Sequence, residues 1–274
     1  MELHMTLTNR IYDKIISSDG TALAFERAGS GSALILVHGT GADHTRWTAI
    51  LSRLADQFKI FSIDRRGRGA SRDAVNYDIQ REYEDIATIA ASLQEPVDIL
   101  GHSFGAAVVL GAAPMIPNLR RLILYEPPML REQHNPLRMD LIRRMEEALA
   151  RGDREAVVLI LLNEMLHVPL VAIDMMRATP AWTGQLEAAH TIPRELRSSD
   201  AYGQDLESLK AIRAQTLFLL GSESMESFRA TTETLLGLLP NSQLKILPGQ
   251  QHSAMLTAPD LFASEVSRFL LDSE

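Results

Sequence analysis

Hydrophobic positions along this chain fall into short continuous runs separated by longer periodic ones. Ile11–Ser17 and Thr21–Ala28 flank Asp19-Gly20, which predicts a hairpin between two short strands. Ala33–Val37, Phe58–Ile63, Val97–Leu100, Arg121–Tyr125, Thr216–Leu220 and Gln243–Leu247 are compact, mostly apolar runs, and each reads as a buried strand. Between them, Thr45–Gln57 carries Trp47, Ile50, Leu51 and Leu54 at helical spacing. Asp78–Gln94 reads as a helix capped by Asp78, with Ile79, Tyr83, Ile86, Ile89, Ala90 and Leu93 on one face. Phe104–Ala113 is a helix of small residues, and Pro259 opens a last helix through Leu271. Strand and helix in alternation predict a mostly parallel sheet of eight strands with helices on both faces. The hairpin would form its antiparallel edge.

One stretch breaks this rhythm. Pro127–Lys210 has no strand-like run. It holds helical patterns at Asp140–Arg151, Arg154–Leu166 and Pro169–Ala178, then reads as loop-rich around Pro180, Gly184, Pro193 and Gly203. The expected organisation is a core of residues 1–126 and 211–274, with residues 127–210 inserted as a helical cap.

Composition narrows the chemistry. The 274 residues include no cysteine, which removes disulfides, thiolate metal sites and a cysteine nucleophile. A net charge of −8 argues against tracking a nucleic-acid backbone. The N-terminus lacks the apolar segment of a signal peptide, and no run is long enough to span a membrane. The expected location is cytoplasmic. The expected partner is a small-molecule substrate, with neither nucleic acid nor membrane, and a homodimer stays open.

Gly101-His102-Ser103-Phe104-Gly105 joins a predicted strand to a predicted helix. A G-x-S-x-G pentapeptide in that context is a nucleophile elbow, which makes Ser103 the candidate nucleophile. The glycines let strand and helix approach, and the helix N-terminus aims its N–H groups at the same place. His38-Gly39-Thr40-Gly41 follows another strand and is a candidate oxyanion loop. The backbone N–H groups of Thr40 and Phe104 are its expected donors.

With Asp64–Ser71 after the fourth strand and Gly249-Gln250-Gln251-His252 after the last, these motifs resemble the α/β-hydrolase family over almost the full length. The resemblance implies the α/β-hydrolase fold, a triad in the order Ser, acid, His, and no cofactor or metal. His252 stands where the family keeps its base. The acid departs from the common pattern, because Ser224 occupies the usual position three residues after Gly221. Two carboxylates could replace it. Glu126 ends the sixth strand, as the acid does in the zearalenone lactonases that the chain resembles there, and Glu223 is the alternative. Arg65-Arg66-Gly67-Arg68-Gly69 lacks any phosphate-loop pattern and reads as a structural turn.

A serine at the elbow argues against dehalogenase and epoxide hydrolase chemistry, which use aspartate there on this fold. Ester or lactone hydrolysis through an acyl-enzyme is the expected reaction. C–C hydrolysis, perhydrolysis and a receptor with little turnover are the alternatives. Gly39, His102, Met129, Met165 and Trp182 are the expected substrate contacts. Six of the 11 methionines lie in the insertion, at 129, 139, 145, 165, 175 and 176, which predicts an apolar, adaptable pocket for a neutral hydrophobic substrate.

Overall fold

The structure is a computed structural model and describes residues 11–128, 135–202 and 206–272. Eight strands form one sheet: β1 (Ile11–Ile16), β2 (Ala22–Ala28), β3 (Ser32–Val37), β4 (Phe58–Ile63), β5 (Val97–His102), β6 (Leu119–Tyr125), β7 (Gln215–Gly221) and β8 (Ser242–Leu247). Their order is β1-β2-β4-β3-β5-β6-β7-β8. β1 and β2 pair antiparallel, β2 meets β4 antiparallel, and every later pairing is parallel. The central strands are buried along nearly their whole length, so both sheet faces must be covered.

The core helices are α1 (Thr48–Leu54), α2 (Ile79–Ser92) and α3 (Phe104–Ala112). The helices between β6 and β7 are α4 (Pro136–Ala150), α5 (Arg154–Leu159), α6 (Leu170–Arg177), α7 (Pro180–Ala188), α8 (Ile192–Tyr202) and α9 (Leu206–Leu209). Then come α10 (Glu226–Leu238), α11 (Ala254–Thr257) and α12 (Pro259–Leu271). The Asp78 side chain caps α2 by accepting from the Gln80 N–H, and Pro259 occupies the first turn of α12. No helix among the described residues is long and apolar enough to cross a membrane.

The apolar residues form a cluster on each face of the sheet. α2 and α3 pack over Ile35, Ile99 and Phe218 on one face. Trp47, Leu51, Phe262 and Phe269 pack over Leu34, Leu100 and Tyr125 on the other. A third cluster, with Ile142, Met145, Val157, Ile173 and Trp182, lies inside the insertion.

Several local expectations change. The first helical run opens with a 3₁₀ turn at His44–Trp47 before α1 begins. β5 continues through Gly101 and His102, because both residues pair with β6. α5 widens into a π-helical segment at Ile160–Met165. Much of the region around Pro180, Gly184 and Pro193 is helix rather than loop. Pro180 sits in the first turn of α7 and Pro193 in the first turn of α8, where a missing N–H breaks no hydrogen bond. Those two prolines start helices and do not interrupt them.

Candidate active site

Ser103 is the turn between β5 and α3. Its backbone takes φ 54° and ψ −128°, a conformation costing a non-glycine residue about 1–3 kcal/mol. The cost is offset locally. Its N–H donates to the Tyr125 carbonyl at 2.9 Å, and its carbonyl accepts from Ala106 at 2.8 Å. The elbow glycines are required sterically. A Cβ on Gly101 would lie 2.6 Å from Ala106 Cα, and one on Gly105 would collide with the carbonyls of Val37 and His38. Gly39 lies just as close: a Cβ there would sit 2.9 Å from Ser103 Cβ. The loop after β3 is thereby pressed against the elbow, and Thr40 and Phe104 line the same cavity as Ser103.

His252 lies between β8 and α11 and is fixed from several directions. Phe228 stacks on its ring at 4.3 Å and 11°, and the His102 ring lies 4.6 Å away. The Tyr125 hydroxyl donates to the Gln251 carbonyl and accepts from the Ala254 N–H at 3.0 Å, so it pins the chain on both sides of the histidine. Nδ1–H of His252 donates to Glu126 Oε2 at 2.6 Å.

Glu126 follows β6 and also has a positive φ, 49°. Its carboxylate is fully buried. Besides His252, it accepts from the Gly221 N–H at 2.8 Å and from the Ser224 hydroxyl. Three donors thus satisfy the carboxylate where water cannot reach it. Ser224, at the position where the resemblance leads one to look for an acid, donates to that acid instead. Glu223 is exposed at the cavity rim and makes no hydrogen bond to His252.

Two other histidines are held neutral. Burial pushes His102 well below its usual range, helped by the charges of His252 and Arg46. Its Nε2–H donates to the His252 carbonyl at 2.8 Å, and its buried Nδ1 has no partner among the described residues. Burial likewise holds His38 low, aided by the charge of Arg65. His38 Nε2 accepts from the Arg65 N–H at 3.1 Å, and Nδ1–H donates to the Gly39 carbonyl at 2.9 Å.

The arginine turn after β4 is spent internally. Arg65 forks onto Glu82 at 2.7 and 2.8 Å, and Arg66 forks onto Asp85 at 2.7 Å through both nitrogens. Arg68 pairs with Glu82 and with Glu195 of α8. Glu195 is fully buried and accepts the Thr40 hydroxyl at 2.7 Å. Sequence reading misses this residue. Its only local signal is an acidic position between the apolar Ile192 and Leu196. Glu195→Ala is expected to cost about 3–5 kcal/mol, because it leaves the buried guanidiniums of Arg65 and Arg68 to share one carboxylate, Glu82. Urea unfolding would measure it, and a loss below about 1 kcal/mol would show the pairs to be dispensable.

A cavity of about 1040 Å³ joins these parts. Its floor holds Gly39, Thr40, His102, Ser103, Phe104 and His252, and its roof includes Val158, Leu161, Leu162, Met165, Leu166 and Leu196. Two substrate-contact expectations need comment. Trp182 is not a wall. It is buried in the insertion's own apolar cluster, with Arg177 over its ring at 5.6 Å. Met129 lies outside the described residues. Of the other insertion methionines, Met165 and Met176 line the cavity, Met145 is core, and Met139 and Met175 are exposed. The methionine surplus therefore marks the pocket only in part.

Asp43, His44 and Asp64 are the described residues that most resemble a metal-ligand set, with donor atoms within 4.8 Å. Asp64 is already engaged by the His44 backbone at 2.9 Å, the His44 ring at 2.8 Å and the Ala70 N–H at 2.8 Å. Burial opposes charge on His44, but Asp64 outweighs it and raises its proton affinity.

The sequence profile of the Alpha/beta hydrolase family matches residues 34–265. The crystal structure of an alpha/beta hydrolase from Sphaerobacter thermophilus superposes with a TM-score of 0.82 at 32% identity, covering 94% of this chain and 100% of that one. An uncharacterized protein of Mycobacterium tuberculosis is 27% identical over 283 residues, covering 93% of this chain and 80% of its own. The N-formylmaleamate deformylase of Pseudomonas putida is 35% identical over 119 residues, 42% of this chain and 44% of its own.

Proposed function

The chain belongs to the alpha/beta hydrolase family, and on that premise we propose that it is a serine hydrolase cleaving an ester or lactone of a mainly apolar small molecule. The observation that carries this reading is the 2.6 Å bond from His252 to the buried Glu126, at a cavity that Ser103 also lines.

Each group then has a role. Ser103 Oγ attacks the carbonyl carbon while Nε2 of His252 takes its proton. Glu126 holds the Nδ1–H tautomer and stabilises the imidazolium that forms. The developing oxyanion is met by the N–H groups of Thr40 and Phe104, the latter at the positive end of α3. His252 returns the proton to the leaving oxygen, which departs and leaves an acyl-serine. Water, deprotonated by His252, then releases the acid. An acid after the sixth strand is the feature by which the sequence resembles cofactor-free zearalenone lactonases, and no step requires a cofactor. The leucines and methionines of the roof favour a substrate with an apolar body, since a cavity this size can enclose a medium-sized molecule.

A fluorophosphonate probe tests the central claim. Stoichiometric labelling, mapped to Ser103 by mass spectrometry, is expected, together with turnover on a panel of acyl esters and lactones. Failure to label would favour a receptor that keeps the fold with little turnover. Product analysis on the same panel separates ester hydrolysis from C–C hydrolysis and perhydrolysis.

A further inference from the structure

The cavity wall carries two arginines and two glutamates, and they are not equivalent. Glu164 is neutralised by a fork from Arg144 at 2.6 and 2.7 Å. Glu223 is exposed at the rim. Arg138 reaches the Leu196 carbonyl at 3.5 Å and has other partners. Arg46 lines the cavity with its side chain partly buried, and its guanidinium has neither hydrogen bond nor ion pair among the described residues. Its nearest acidic neighbour in sequence, Asp43, is already occupied as a cap, accepting from the N–H and hydroxyl of Thr45.

A partly buried guanidinium with no acceptor among the described residues keeps its donors available to a ligand. The chain pairs its buried arginines 65, 66 and 68 with carboxylates and gives Arg121 the backbone carbonyls of Phe269, Leu270 and Asp272. Arg46 is also held in place. It belongs to the 3₁₀ turn that follows the Thr40 loop, and the next residue, Trp47, is fully buried with its ring edge toward His102. Burial pulls the Arg46 guanidinium below its usual range against the opposing charge of Asp43, and its own charge is felt by His102 in the elbow. The cation is thus partly buried and lines the same cavity as Ser103 and His252. A planar guanidinium in that setting matches a carboxylate with two parallel hydrogen bonds.

We propose that Arg46 is a specificity-determining residue that binds a carboxylate on the substrate, so the natural substrate is an acid-bearing ester or lactone. This inference rests on the hydrolase reading and sharpens its substrate class. The neutral substrate expected from sequence gives way to one with an apolar body and a single anionic end.

Matched substrates test it. Mono-4-nitrophenyl glutarate and 4-nitrophenyl valerate place a carboxylate or its neutral counterpart on the acyl side, and 4-acetoxybenzoate and phenyl acetate do so on the leaving group. The readout is the ratio of kcat/KM, anionic over neutral, in which any change in folded fraction cancels. Arg46→Gln is expected to lower that ratio at least tenfold in one pair, with Arg46→Lys falling between. A smaller change in both pairs overturns the proposal. The same contrast can be read without turnover. Glutarate should raise the melting temperature of Ser103→Ala but not of Ser103→Ala/Arg46→Gln. Equal shifts overturn the anion site even in a protein that hydrolyses nothing, whereas turnover that survives Ser103→Ala rejects the serine-nucleophile reading instead.

Discussion

Ser103→Ala is expected to lower kcat for ester hydrolysis by about 10⁵–10⁶-fold, the scale of losing the nucleophile from a serine triad. The size follows from the chemistry. Without Oγ there is no acyl-enzyme, and water must attack directly with only the oxyanion donors and the binding cavity to help. The substitution should fold well, because the Ser103 backbone is held by Tyr125 and Ala106 and does not depend on the hydroxyl. Alanine would still have to adopt the positive φ, so melting temperature is the control. Purified variant and wild type assayed on one activated ester give the result. A loss below about 100-fold would mean that another group attacks the carbonyl.

The second large effect concerns the acid. Glu126→Gln should reduce kcat by up to about 10⁴-fold, with little change in KM. Glutamine keeps the shape of glutamate but cannot carry its charge. An amide at this position could present an N–H to His252 Nδ1 and select the wrong tautomer. It would also meet the Gly221 N–H and Ser224 hydroxyl, which both donate to Glu126 Oε1 in the wild type. Glu223→Gln should lose far less, because that carboxyl is exposed and does not bond to the histidine. The paired comparison, with pH–rate profiles for both variants, checks the assignment. Near-full activity in Glu126→Gln together with collapse in Glu223→Gln would transfer the role.

How much of this could be read in the chain depends on the range of each interaction. The sheet was legible because its strands are apolar runs bounded by turn residues, and burial on both faces leaves little room for another outcome. The elbow was legible because strand, turn and helix are contiguous, and its glycines answer to contacts within a few residues or with one neighbouring loop. Glu126 was legible as a candidate through the family resemblance, with Glu223 left open beside it. Where local signals mislead, a tertiary partner decides. Pro180 and Pro193 look like breakers, but each begins a helix that the insertion's core stabilises. Trp182 looks like a pocket aromatic and is consumed by that core. Helix α10 carries little local signal, yet its Phe228 holds the face of His252. Glu195 and Thr40 are 155 residues apart, and nothing local to either announces the other. Arg46 is conspicuous only through the partner it lacks.

The Glu195 bond has a consequence for how such an enzyme can be rebuilt. One carboxylate from the insertion joins two core arginines to the loop that should present an oxyanion donor. The insertion is therefore not an interchangeable module. Grafting a foreign cap onto this core would remove the acceptor of the Thr40 hydroxyl and leave Arg65 and Arg68 short of a counter-charge. The cavity roof and the Thr40 loop are wired together through the helix that carries this side chain. A recombinant that keeps α8 while exchanging α4 to α6 would alter the roof without cutting that wire.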